Sequence, residues 1–150
     1  MHQQIRGSPD SIAGNIARIV NVLAAAGVNI LGIAPDFDAP HVRVIVGDEA
    51  GEEEGEAFEM ALDAMAKAGL APQIRPAVLL SMPNSPTALQ SAIDRLTRKG
   101  YAIESILVLP GEPEPGKAWV SLGVAQTIKP DWDTDSNALS SEINDEIEGT

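Results

Sequence analysis

The residues of this 150-residue sequence that are best suited to take part in chemistry are the acidic ones. Carboxylates crowd the stretch 48–56, and oxygen ligands of this kind can hold a divalent cation. The stretch lacks the alternating ligands and the sharp-turn glycine of a calcium loop. A solvated helix start, whose positive end favours acidic side chains, is therefore the preferred interpretation. We predict no metal site and no cofactor.

Catalysis has little support among the other residue types. The sequence has no cysteine, and its two histidines, His2 and His41, are far apart in the chain. A histidine catalyst or ligand needs a partner, so His41 is interpreted as a surface or strand-edge residue. There is also no glycine-rich phosphate loop and no carboxylate pair that can be placed in a cleft. We name no catalytic residue and do not expect an enzyme.

The charge balance narrows the choice of partners. The formal net charge is −12, so the average surface repels the phosphates of nucleic acids. The nearest basic group, Arg95, Arg98 and Lys99, falls at a predicted helix C-terminus, where the helix dipole accounts for it. No apolar run approaches the roughly 18 residues of a membrane-spanning helix. We expect a cytoplasmic protein with no nucleic-acid or membrane partner.

The elements that must position these groups are organised around a helix, a glycine and a strand. Apolar residues recur at helical spacing over 16–23, Gly27 gives the helix a left-handed end, and a β-branched run follows over 28–33. The same arrangement returns around Gly100, which lies 73 positions after Gly27. A unit of this length used twice indicates two small domains rather than a solenoid.

The first copy is predicted to run strand, helix, strand, strand, helix, strand, and the second copy to follow the same order without the last strand. The first would occupy residues 1–75 and the second 76–150, with Pro76 separating two strands where the copies meet. The strand over 41–46 alternates valines with Arg43 and Ile45, which predicts one partly solvated face. This order gives an α+β fold of two ferredoxin-like βαββαβ repeats, each an antiparallel sheet with its helices on one face.

The acidic segment 127–150 has the composition of a disordered tail. Leu139, Ile143 and Ile147 are four apart, however, so a docked helix over 136–148 is favoured. Either way the second repeat is expected to lack its last strand. An open sheet edge must be covered by the first strand, the tail or another chain, and we expect a homodimer that extends the sheet.

Two stretches resemble ACT domains, small regulatory modules that bind amino acids. LAAAGVNI, at 23–30, resembles the end of the first helix and the second strand of that family. VLLSMPNSPTAL, at 78–89, is similar to its first strand and following turn, with Thr87 where the family usually has glycine. The resemblance covers most of residues 1–126 in two copies.

The resemblance implies a ligand site where the turn of one module meets the second strand of its neighbour. The first-turn amides of a helix are free donors suited to a carboxylate, and the asparagine of Gly-Val-Asn-Ile often orients the ligand in this family. One composite ligand-binding site per chain is therefore implied. Its residues would be Asn29, Ile30, Leu31, Met82, Asn84, Ser85 and Thr87. Asparagine and serine are also ordinary turn and cap residues, which leaves a structural role open for Asn29, Asn84 and Ser85.

The function implied by the resemblance is that of a sensor. It would bind an amino acid or similar metabolite between paired modules and signal to an oligomer or to a separate enzyme or regulator. The alternatives are a structural or interaction subunit that needs no ligand and, less favoured, a small enzyme. RNA recognition would need aromatic residues on central strands, but Phe37 and Phe58 fall in a turn and a helix.

Overall fold

The computed structural model describes residues 2–7, 12–36, 41–50, 55–83, 85–126 and 136–148. These residues form six strands and four helices, and the strands make one antiparallel sheet in the order β2-β3-β1-β4-β6-β5. The elements in chain order are β1 (Gln3–Gly7), α1 (Ile12–Ala25), β2 (Ile30–Pro35), β3 (Val42–Val46), α2 (Glu56–Lys67), β4 (Gln73–Pro83), α3 (Pro86–Arg98), β5 (Tyr101–Leu109), β6 (Lys117–Gln126) and α4 (Ser136–Glu148). The predicted α+β class is confirmed.

The first half of the chain, residues 2–76, has the ferredoxin-like strand order. β1 lies between β3 and β4, with Ile5 opposite Val44 on one side and Ile74 on the other. Ile5 and Val44 pack with buried residues of α1 and α2, such as Ile19 and Met65, in one apolar cluster. The amphipathic faces of both helices are thus buried on the same side of the sheet.

β4 joins this half to the second half, residues 77–148. Its residues 73–76 pair with β1, and its residues 77–83 pair with β6. The expectation that Pro76 separates two strands is wrong. The amide of Ala77 donates to the carbonyl of His2, the residue before β1. The amides of consecutive strand residues point to opposite edges, so the nitrogen of Pro76 faces β6. The pairing with β6 begins at Ala77, so the ladder loses no hydrogen bond to the proline.

The second half repeats local features of the first. Gly27 and Gly100 follow their helices with φ of 73° and 89°, a left-handed conformation that glycine adopts without a steric penalty. β2 carries an irregularity between Ile30 and Gly32, and β5 carries one between Ile103 and Ser105. The two irregularities are related by the same 73-residue shift as the glycines.

α4 covers the edge of β4 where pairing with β1 has ended. The hydroxyl of Ser140 accepts from the amide of Leu79 at 3.0 Å, and the Asn144 side chain accepts from the amide of Ser81 at 3.0 Å and donates to the Leu79 carbonyl at 3.2 Å. Four helical residues rise about 6 Å and two strand residues about 6.7 Å, so side chains four apart match alternate strand residues. Leu139 and Ile143 are buried beneath the helix.

The helix predicted over 136–148 is therefore confirmed. Three covers were considered for the open edge: the first strand, the tail or another chain. The tail covers it, because α4 side chains accept hydrogen bonds from the amides of Leu79 and Ser81. The homodimer expected on the ground of that edge stays a prediction.

The face of the sheet opposite the helices curls until β2 approaches β5. A Cβ atom at Gly32 would lie 2.9 Å from Leu109 Cδ2 and 3.2 Å from Leu107 Cδ2, so the two strands pack closely through leucine side chains. Arg43 and Ile45 on this inner face are 0% and 1% exposed. The partly solvated face expected for the strand at 41–46 is thus wrong, because the curl encloses it.

Candidate functional site

The inner face of the sheet carries a buried polar network centred on Arg43. Its Nε donates to Asp36 Oδ2 at 2.5 Å, and Nη2 donates to Glu104 Oε1 at 2.9 Å. Arg75 from β4 donates to both oxygens of Glu104 at 2.8 and 3.1 Å. Two guanidinium groups and two carboxylates lie together, so their charges balance.

Further polar side chains extend the network across the sheet. Gln4 accepts from Ser105 Oγ at 2.6 Å and donates to Ser121 Oγ at 2.9 Å. The His2 Nε2 atom lies 2.5 Å from the same Ser121 hydroxyl. All four residues are buried. Buried polar groups paired in this way stabilise one arrangement of the strands, since a partner left alone would be costly.

Burial alone would raise the pKa of Glu104. Hydrogen bonds from Arg75 and Arg43, and the charges of the same two residues, outweigh burial and hold the pKa below its ordinary value of 4.5. The carboxylate is thus kept ionised by its two partners. A charge-balanced network of this kind stabilises the fold.

An open cleft of about 410 Å³ lies between the two halves. It is lined by residues 48–50, which follow β3, by residues 110–112 of the β5–β6 connection, and by Trp119 at the start of β6. Its volume lies within the range of about 300–1,000 Å³ that is common for small-molecule sites. The cleft is therefore large enough to be a candidate ligand site.

The inner wall of the cleft is apolar. Ala50 and Trp119 pack against the buried cluster of Ile45, Leu107 and Leu109. Trp119 is partly buried, so part of the indole contacts the cluster while the side chain also lines the cleft. This wall can bury the apolar body of a ligand.

The rim of the cleft is anionic. Asp48, Glu49 and Glu112 are exposed, and the described lining residues include no lysine or arginine. Asn29 donates through Nδ2 to Asp48 Oδ1 at 2.9 Å. The described residues contain no group of three side chains suited to hold a metal ion.

Two of the residues implied as ligand-binding lie near this cleft. Asn29 holds Asp48 in place, and Leu31 packs partly buried against the apolar cluster behind the wall. Ile30 points the other way, toward the α1–α2 core. The alternation of side chains along β2 accounts for this difference.

The remaining implied residues lie elsewhere. Met82 is 4% exposed in the core beneath α3 and α4. Ser85 is the N-cap residue of α3, and its hydroxyl is 3.1 Å from that of Thr87. Thr87 also borders an open depression of about 380 Å³ along α3. Asn84 is outside the described residues. The structure thus brings Asn29 and Leu31 together and places Met82 in a separate core; the roles of all seven in binding stay a prediction.

Sequence reasoning does not identify the residues that line the cleft. Asp48 and Glu49 fall in the acidic stretch 48–56, which is interpreted from the sequence as a solvated helix start. A usable signal is the proline- and glycine-rich connection 110–116, which ends three residues before Trp119. What the sequence lacks is the information that the curl brings this connection to residues 48–50.

No protein-family model matches the sequence. Comparison with curated proteins also finds no match. Among solved structures, protein BT0572 from Bacteroides thetaiotaomicron is similar, with 19% identity and a TM-score of 0.64 over 97% of this chain and 88% of that chain. At this identity the similarity establishes the fold alone.

A second solved structure is matched more weakly. The aspartate kinase of Clostridium acetobutylicum, described as an allosteric enzyme, has 13% identity and a TM-score of 0.47, and the match covers 96% of this chain and 32% of the kinase. Separately, no helix in the described part of the chain is long and apolar enough to cross a membrane.

Proposed function

We propose that this protein is a non-catalytic sensor of the ACT type, made of two tandem repeats, that binds a small metabolite in the cleft between its halves. An amino acid is the first candidate ligand. The cleft carries the proposal, because it joins a small-molecule volume to an apolar wall and a polar rim. Homo-oligomerisation, a separate target protein and a cytoplasmic location belong to the same proposal.

The position of the cleft supports regulation. Residues 48–50 belong to the first half and residues 110–112 to the second, so a bound ligand contacts both. The halves also meet where Leu107 and Leu109 pack on Gly32. A ligand that fits one arrangement of the halves better than another shifts the population toward that arrangement.

The tandem organisation has local support. The left-handed glycines after α1 and α3, and the irregularities in β2 and β5, are related by one 73-residue shift. Such features arise when one supersecondary unit is used twice.

The chemistry of the cleft supports binding rather than catalysis. Its described lining residues offer carboxylates, an indole and backbone groups, but no histidine, lysine, serine or cysteine. Nucleophilic catalysis requires a nucleophile within hydrogen-bond reach of a base. Steady turnover of any metabolite would contradict this part of the proposal.

A thermal-shift screen against the twenty amino acids tests the function. A ligand at a hundred times its dissociation constant should stabilise the folded state by about 2.7 kcal/mol. The stabilisation should be lost in Trp119→Leu, in the cleft, and kept in Gln90→Ala, in the depression along α3. If no amino acid stabilises the protein, the structural-subunit alternative takes precedence.

A further inference from the structure

We propose that the cleft recognises its ligand through a protonated amine and not through a carboxylate. This inference rests on the proposed ligand-binding function and names the chemical class of the ligand. Its consequence is specific: an alkylamine should bind more tightly than the amino acid that has the same side chain, and the matching carboxylic acid should bind least.

The first step is the charge of the rim. Asp48, Glu49 and Glu112 come from both sides of the cleft, and the described lining residues provide no cation to neutralise them. Like charges within a few ångströms repel, and the repulsion is stronger next to an apolar wall than in bulk water. A ligand carboxylate at the rim is therefore disfavoured, whereas an ammonium group is attracted.

The apolar wall of the cleft is the second feature that favours an amine with an apolar chain. Trp119 and Ala50 present apolar surface continuous with Ile45, Leu107 and Leu109. An indole can take up an apolar chain, and its face also attracts cations. The cleft thus offers separate places for the body and the positive end of one molecule. This combination, rather than the acidic residues alone, makes an amine with an apolar chain the fitting ligand.

The third step concerns the carboxylate-binding part of the implied site. In that hypothesis the free amides at the start of α3 receive the ligand carboxylate. Ser85 begins α3, and neither Ser85 nor Thr87 lines the cleft. The cleft therefore lacks the helix start on which carboxylate recognition was based.

Asn29 acquires a different role in this account. Its amide donates to Asp48, so it contacts the rim carboxylate rather than the ligand. It is a positioning residue that holds Asp48 toward the cleft. Asn29→Ala should weaken binding of an amine while leaving the preference for amine over carboxylate in place.

Three related compounds test the charge assignment: 3-methylbutylamine, leucine and 4-methylpentanoate share one apolar body and differ in their charged groups. The titration uses Trp132→Phe protein, in which Trp119 is the remaining tryptophan and its fluorescence reports on the cleft. We expect affinity to fall from the amine to leucine to the carboxylate, with about tenfold or more between the extremes. Added salt should weaken binding of the amine.

Matched variants locate the effect. Glu112→Gln and Glu49→Gln should each weaken amine binding by about two- to fivefold, as expected for exposed charge pairs. Glu59→Gln, exposed on α2 outside the cleft, should change amine binding little.

Equal or tighter binding of the carboxylate overturns the inference and leaves the sensor proposal standing. The screen of twenty amino acids judges the sensor proposal separately, and failure of all three compounds to bind at millimolar concentration overturns the inference.

Discussion

Two groups of charged side chains lie along the inner side of the curled sheet, and the fold treats them differently. Around Arg43 the charges are buried or half-buried and are balanced by hydrogen-bonded partners. At the cleft, Glu49 and Glu112 are exposed and have no ion pair among the described residues. The first arrangement stabilises the fold, and the second leaves charge available to a ligand. In the proposed function, the same kinds of charged group thus stabilise the fold at one place and attract the ligand at another.

The largest effect should come from removing the centre of the buried network. Arg43→Ala removes the buried guanidinium that pairs with Asp36 and with Glu104, while Glu104 keeps its ion pair with Arg75. Breaking the fully buried pair with Asp36 should cost about 3–5 kcal/mol in the free energy of unfolding. Denaturant unfolding measures it. Glu112→Gln at the cleft is the matched comparison and should change stability by less than about 0.5 kcal/mol. Similar losses in both variants would remove the distinction between the two groups.

The edge of β4 should give an intermediate effect. Asn144→Ala leaves the Leu79 carbonyl and the Ser81 amide without their partner, at about 1–3 kcal/mol. An uncovered strand edge also favours association between chains, so sedimentation should show larger species. Ser140→Ala should act in the same direction, whereas Ser141→Ala, at an exposed position of α4, should not. Equal behaviour of the two serine variants would contradict the role given to α4.

The smallest expected effect is on how the free energy of unfolding depends on pH. Because the pKa of Glu104 is lowered in the folded protein, its ion pairs stabilise the fold fully above the ordinary value of 4.5, and this contribution is lost as pH falls through the lowered pKa. Glu104→Gln should therefore flatten the dependence of stability on pH below about 5. Glu112→Gln should leave the slope nearly unchanged. An unaltered slope in Glu104→Gln would show that other groups control acid unfolding.

The sequence was enough to predict the helices and strands, but not how they pair and how the edge of the sheet is covered. Periodicity located the helix over 136–148, since Leu139 and Ile143 mark its buried face. It could not show that Asn144 would serve as an edge partner, because that depends on where β1 stops pairing with β4. The prediction that Pro76 separates two strands was wrong because it also depends on where pairing begins. The pairing with β6 starts at Ala77, and a proline is compatible with a strand when its nitrogen faces a position without a ladder bond.

The candidate site was harder to predict than the fold. Residues 48–50 and 110–112 are about 60 positions apart in the sequence and approach each other because the sheet curls. Curl depends on the packing of both halves, as at Gly32 against Leu109, and leaves no local pattern. Arg43 is a further example. Its alternation with valines predicted a partly solvated strand face, but the curl of the sheet buries this side chain.

Nuclear magnetic resonance mapping of a bound ligand tests the central claim most directly. Titration with the amino acid or amine that stabilises the protein most should shift the Trp119 indole N–H and the Gly111 backbone amide, both at the cleft. The amides of Ser85 and Thr87 at the start of α3 should stay unchanged. Shifts confined to Ser85 and Thr87 would move the site away from the cleft and contradict the account.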